Sequence, residues 1–190
     1  VTRTPKIEDA AATIIQSAFT SAGQRCTAAR RLIITDDMYD QIVPAVKTLA
    51  QRLIVGEPFA DPAPFMGPVI DNGTADLLSE SFVALMERGG VPLMHMRRPD
   101  DNLPFLTPGL IDSTEMTDRP DIELFGPLLQ VIRVGNLDDA IAEANNTRYG
   151  LAAYIWTNDL KRAHNFAGAV EAGMVWLNSN NVRDLRTPFG

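Results

Sequence analysis

The sequence predicts an α/β fold, a mostly parallel sheet with flanking helices, on three observations. Stretches with apolar residues at helical spacing alternate with short apolar runs along almost the whole chain. Runs such as "RRLIITD" (residues 30–36) and "PLLQVIRVG" (residues 127–135) are near-continuous, as in strands buried on both faces. Helical and strand-like segments follow one another in repeated alternation, the pattern of a sheet wound with helices.

Each element has its own justification. Residues 7–22, "IEDAAATIIQSAFTSA", place Ala11, Ile14, Ile15, Ala18, Phe19 and Ala22 on one helical face, and Gly23 stops the helix. Cys26 follows in a tight turn or at the start of another short helix, and residues 30–36 form a strand. Residues 37–52 set Met38, Ile42, Ala45, Val46 and Leu49 on one face of a second helix. Pro58, Pro62, Pro64 and Pro68 make residues 55–70 a loop. A long helix over 71–88 is stopped by Gly89 and Gly90. Residues 91–122 hold a short strand, a polar loop around 97–103 and a strand near 108–111. Residues 127–135 read as a strand, and Asn136 as the N-cap of the helix behind it. A strand in 150–159, a helix ended by Gly173 and a strand in "GMVWLN" complete the order. There is no repeat, low-complexity tract or linker, so residues 1–190 read as one domain. The chain begins at Val1 and ends in "RTPFG", which reads as a piece of something longer.

Composition narrows the function. The 190 residues are 45% hydrophobic and 22% charged, with a net charge of −7. That balance argues against nucleic acid or a membrane surface as partner, since both attract clustered Lys and Arg. One cysteine cannot form an internal disulfide, which implies a reducing compartment and a cytoplasmic location. No apolar run reaches the roughly 18 residues of a membrane span. His95 and His164 lie far from Cys26 in sequence and offer no metal-ligand spacing. There is no GxGxxG and no Walker loop. Trp156 and Trp176 fall in strands and read as core.

Two short stretches carry chemistry. In "GQRCTAARR" (residues 23–31), Cys26 is either a small buried hydrophobe or a nucleophile. Its place after a helix end leaves backbone N–H groups free. Arg25, Arg30 and Arg31 add positive charge, and both features favour a thiolate. In "ELFGP" (residues 123–127), Glu123 is a surface carboxylate before a Gly-Pro turn, or a group that accepts two hydrogen bonds from the hydroxyls of a ribose.

Taken together, "FTSAGQRCTAARR", "ELFGP", "ANNTRYGLAAYIWTND" and "GMVWLN…TPFG" resemble the aldehyde dehydrogenase superfamily, in its order and spacing, over nearly the whole chain. The resemblance implies that Cys26 attacks an aldehyde carbonyl to give a thiohemiacetal. Hydride then passes to NAD or NADP, and the resulting thioester is hydrolysed. It further implies that the Cys26 N–H helps to hold the oxyanion, that Glu123 holds the nicotinamide ribose and that Phe125 flanks the nicotinamide. Gln24 and Arg25 would shape the turn that presents the thiol to substrate.

The superfamily's general base lies in an "ELGG"-like stretch before the cysteine, and no such stretch precedes Cys26 here; Glu8 does not match it. The dinucleotide-binding domain, a side-chain amide of the oxyanion hole and the C-terminal tail with its oligomerisation strand are also unmatched. The chain is therefore expected to be a partial catalytic domain. Its cofactor would be bound mainly by parts outside it, and the complete protein would be a homo-oligomer. Left open, the face toward a cofactor domain should make the isolated chain self-associate.

The first two thirds, including the residues around Cys26, look closest to the branch that oxidises N-succinylglutamate 5-semialdehyde. The last third looks more like the branch acting on 5-carboxymethyl-2-hydroxymuconate semialdehyde. Both substrates carry carboxylates, and Arg183 and Arg186, in the loop before "PFG", could grip one in a bidentate fork. The plainer reading is that these arginines are solvated or pair with Asp184. Two further readings stand beside an oxidoreductase: a non-catalytic remnant that keeps the fold, and a thiol esterase using Cys26 without a cofactor.

Overall fold

The computed structural model describes residues 1–4, 6–182 and 184–190. Helix α1 (Ile7–Phe19) buries Ala10, Ala11, Ile14, Ile15, Ala18 and Phe19, the side that its apolar spacing marks out. Helix α2 (Asp36–Gln51) buries Met38, Ile42, Val43, Val46 and Ala50 and packs against α1. Helix α3 (Asn72–Glu87) contributes Ala75 and Leu78 to the same core. Its start is fixed by Asp71, whose side chain accepts the N–H of Thr74 at 2.7 Å.

The strands are β1 (Arg31–Thr35), β2 (Val91–Met94), β3 (Gly109–Asp112), β4 (Leu128–Val134), β5 (Ala152–Ile155) and β6 (Met174–Leu177). Helix α4 (Leu137–Asn145) follows β4, and α5 (Leu160–Ala169) crosses from β5 to β6. Asn136 caps α4 as expected, accepting from the N–H groups of Asp138 and Asp139 at 2.8 and 3.0 Å. The first four strands form one sheet in the order β1-β4-β3-β2. β1 and β3 flank β4 in parallel, with Arg31 opposite Gln130 and Gly109 opposite Leu128. Leu129 and Val131 of β4 meet the α1–α2 core, in which Phe19, Ile34 and Ile42 are fully buried.

Three differences from the sequence expectation have physical causes. β2 runs antiparallel to β3, because the connector 95–108 contains no helix to carry the chain back across the sheet. As an edge strand β2 tolerates Pro92, which has no N–H to give a ladder. β5 and β6 pair with each other in parallel but stand as a separate two-stranded sheet. Residues 1–3 stitch the two sheets together. Val1 N donates to the Ile33 carbonyl at 2.6 Å, and the Val1 carbonyl accepts from Thr35 N at 3.1 Å. On the other side Thr2 N donates to the Trp156 carbonyl at 2.9 Å, and Asn158 N to the Arg3 carbonyl at 3.0 Å. Finally, α5 stops at Ala169 rather than at Gly173, with Val170 already extended. Asn145, the last residue of α4, clamps that end by donating to the Ala169 carbonyl at 2.9 Å and accepting from Glu171 N at 2.8 Å. No helix among the described residues is long and apolar enough to cross a membrane.

Candidate active site

Helical spacing continues to Ala22, but the helix ends at Phe19. A tight turn, Thr20–Gly23, follows, and three successive residues in it are left-handed: Ser21 at φ 58°, Ala22 at φ 52° and Gly23 at φ 71°. Left-handed backbone costs about 1–2 kcal/mol for a residue with a Cβ, so the surroundings must hold it. Gly23 is the fixed point. A Cβ there would stand 2.1 Å from the Gly126 carbonyl oxygen. The glycine of "GQRC" therefore packs backbone to backbone on the glycine of "ELFGP". Gly126 is itself held from behind, since a Cβ there would come within 2.4 Å of the Leu78 side chain.

Side chains brace the rest of the loop. Gln24 accepts from Ile70 N at 2.9 Å and donates to the Ser21 and Pro68 carbonyls at 3.1 and 3.3 Å. Arg25 turns back to α1 and donates to the Gln16 and Ser17 carbonyls at 3.0 and 3.2 Å. Cys26 is exposed at the tip, and no acceptor among the described residues takes its N–H. On the far side the Tyr154 hydroxyl donates to the Thr27 carbonyl at 2.5 Å, and its ring stacks on Trp176 at 5.2 Å. Burial pushes the Tyr154 phenol up from its ordinary value.

Arg30 joins the two motifs. It donates to the Gly23 carbonyl at 2.6 Å and to the Arg25 carbonyl at 3.1 Å. Its Nε faces Glu123 Oε1 at 3.7 Å, an ion pair too long for a hydrogen bond, and its guanidinium lies 4.8 Å over the Phe125 ring. Burial pulls the Arg30 pKa below its usual value, and the Glu123 charge opposes that pull. Arg31 points elsewhere, to the Glu143 and Ala144 carbonyls at 2.8 and 2.9 Å. Cys26, Glu123 and Tyr154 line one cleft of about 420 Å³ between the two sheets.

Known proteins have this arrangement of segments. The sequence profile of the aldehyde dehydrogenase family matches residues 1–190. The chain belongs to the aldehyde dehydrogenase family. It is 60% identical over 188 residues to the N-succinylglutamate 5-semialdehyde dehydrogenase of Novosphingobium aromaticivorans, covering 98% of this chain and 40% of that one. It superposes on the crystal structure of HpcC from Thermus thermophilus with a TM-score of 0.91 at 34% identity, covering 100% of this chain and 38% of the other. The NADP-dependent glyceraldehyde-3-phosphate dehydrogenase of Bacillus halodurans, complexed with NADP, gives 0.86 at 33% identity, covering 100% and 39%. The chain thus spans about 40% of the length of the curated relative it matches.

As an aldehyde dehydrogenase chain, it brings together Gln24, Arg25, Cys26, Glu123 and Phe125, the residues its motifs single out. Arg186 lies apart from them. It is 90% exposed, its guanidinium is forked onto Asp184 at 2.6 Å, and it does not line the Cys26 cleft. Arg183 lies outside the described residues. His95 is exposed with its ring 6.0 Å from Phe82, and His164 is exposed on α5. Trp176 is buried, and Trp156 packs on the core. Two contributors escape a reading of the sequence alone. Arg30 counts there only as nearby positive charge, although its place after two alanines could suggest a side chain folded under the loop. Tyr154 carries no signal beyond its place in an apolar strand.

Proposed function

We propose that the complete protein oxidises a carboxylate-bearing semialdehyde, N-succinylglutamate 5-semialdehyde, to the acid, with NAD or NADP and with Cys26 as nucleophile. The observation that carries this reading is the mutual fixing of the two motifs: Gly23 on Gly126, and Arg30 between the Cys26 loop, Glu123 and Phe125. The close relative named for that substrate supports the choice of semialdehyde.

The cofactor's nicotinamide end fits the residues present. One oxygen of Glu123 faces Arg30, which leaves Oε2 without a partner among the described residues and able to accept from ribose hydroxyls. Phe125 is 43% exposed and held flat by Arg30, a surface for a planar ring. When bound, the cofactor supplies the hydride acceptor. The chain's own residues do the rest of what happens here. The Cys26 sulfur bonds to the aldehyde carbon. The carbonyl oxygen, as it gains charge, meets the unengaged Cys26 N–H. Gln24 and Arg25 hold the loop so that the thiol stays at the tip. Once the thiohemiacetal has given up its hydride, water releases the acid from the resulting thioester and returns Cys26 as the free thiol. The general base and most of the cofactor site belong to the remainder of the complete protein. Arg186 would meet a substrate carboxylate by leaving Asp184. We further place the protein in the cytoplasm as a homo-oligomer, on the single cysteine and the family resemblance.

The test is turnover of the complete protein with N-succinylglutamate 5-semialdehyde and NAD⁺, followed by NADH absorbance. Cys26→Ser should abolish it, and Glu123→Gln should raise the KM for NAD⁺ about tenfold. Full turnover by Cys26→Ser would sink the assignment of the nucleophile. Turnover confined to other aldehydes would sink the substrate.

A further inference from the structure

Four contacts converge on a side chain that the reaction above does not use. Arg30 grips the carbonyls of Gly23 and Arg25, the residues that flank Gln24 and lead into Cys26. It faces Glu123 with its Nε and covers Phe125 with its plane. The side chain is only 16% exposed, and Nε has no hydrogen-bond partner among the described residues. A buried donor without an acceptor is costly, and the acceptor within reach is the Glu123 carboxylate. One rigid fork thus donates from both terminal nitrogens to the nucleophile loop and turns its Nε to the group that faces the cofactor.

We propose that Arg30 is a positioning residue that couples the Cys26 loop to the Glu123 carboxylate, so that whatever engages Glu123 is felt at the thiol. Its cofactor half rests on the reading of Glu123 given above. Its thiol half stands on the contacts alone. The coupling works in both directions, as linkage requires: holding Glu123 sets Arg30, and holding the loop presents Glu123. A lysine cannot replace the fork. It keeps one charge but cannot span two carbonyls and a carboxylate with fixed geometry.

The experiment is a double-mutant cycle on the complete protein with Arg30→Met, Glu123→Gln and both together. The first readout is the rate of Cys26 alkylation by iodoacetamide, followed by mass spectrometry with neither cofactor nor substrate present. Glu123→Gln leaves the Arg30 charge without its counter-ion, which favours the thiolate, so alkylation should quicken about fivefold. Arg30→Met should slow it by a similar factor. With Arg30 already removed, Glu123→Gln should change nothing further. The same acceleration by Glu123→Gln in both backgrounds would mean a direct charge effect and would overturn the coupling. So would no effect in either.

The second readout is NAD⁺ affinity by titration. Arg30→Met should weaken it about tenfold, and Arg30→Lys should restore much of that while leaving alkylation slow. A residue that merely braces the fold would lower stability and move neither split. If Arg30→Met fails to fold, Arg30→Gln, which also removes the charge, takes its place in the cycle with the same outcomes. A wild-type protein that neither binds NAD⁺ nor turns over the semialdehyde would refute the proposed function, and the alkylation cycle would still decide the coupling.

Discussion

At Gly23 two demands fall on one residue. The backbone is left-handed at φ 71°, and the place a Cβ would take is filled by the Gly126 carbonyl. Gly23→Ala should therefore lower stability by about 2 kcal/mol or more, read from urea unfolding midpoints. Gly126→Ala differs in kind, because its Cβ would meet the Leu78 side chain rather than backbone. Its cost should shrink in a Leu78→Ala background, whereas the cost of Gly23→Ala should not. Equal costs in both backgrounds would show that Leu78 is not what confines Gly126. At this scale the sequence is legible where a residue sits in a motif. Cys26 and Glu123 are fixed by their neighbours in "GQRC" and "ELFGP". Arg30 is not legible, because the direction of a long side chain depends on a partner from a distant segment.

Among the elements, α2 carries Pro44 in its interior, exposed, where it removes the hydrogen bond to the preceding turn. Pro44→Ala should raise stability by about 1 kcal/mol or more, since alanine restores the N–H that the helix lacks at this position. An unchanged or lower melting temperature would mean that the proline stiffens the unfolded chain as much as it strains the helix. The cap of α3 gives a pH test. Asp71 accepts the Thr74 N–H, which lowers its pKa below the usual carboxylate range. The folded state thus favours the charged form. The stabilisation is present above the unfolded pKa of about 4 and is lost as the pH falls through the lower folded value. Asp71→Asn should keep the cap at neutral pH and lose less stability as the pH falls below about 4, the unfolded value from which the loss begins. An identical acid profile in the two proteins would remove Asp71 from the account.

The helices are legible because apolar spacing and caps agree, as at Asn136. The end of α1 is not. Spacing runs on through Ala22, and only the packing of Gly23 on Gly126 forces the earlier, left-handed turn. The reversal of β2 leaves a readable trace. The connector 95–108 holds Arg97, Arg98, Asp100 and Asp101 and shows no helical spacing, so no crossover could follow it.

Across the whole molecule, cohesion is uneven. Leu129 and Val131 of β4 are almost fully buried, whereas Ala152, Ala153 and Tyr154 of β5 are half-buried and Leu177 of β6 is exposed. The β5–α5–β6 unit meets the larger sheet through residues 1–3, the Tyr154–Thr27 hydrogen bond and the α4–α5 contact. Native-state hydrogen exchange on the 190-residue chain should therefore show β5 and β6 amides opening before those of β1 and β4. Equal protection would mean that the short stitch holds as firmly as a full strand pairing.

The backbone contact of Gly23 with Gly126 also limits how this site can be transplanted. A designer who moved residues 20–31 into another scaffold would carry the cysteine but leave behind the surface that keeps three residues left-handed. Freed from it, Ser21 and Ala22 would relax to right-handed backbone, and the thiol would swing away from its place. The unit of inheritance is the pair of segments, so recombination that respects this molecule must exchange "GQRC" and "ELFGP" together.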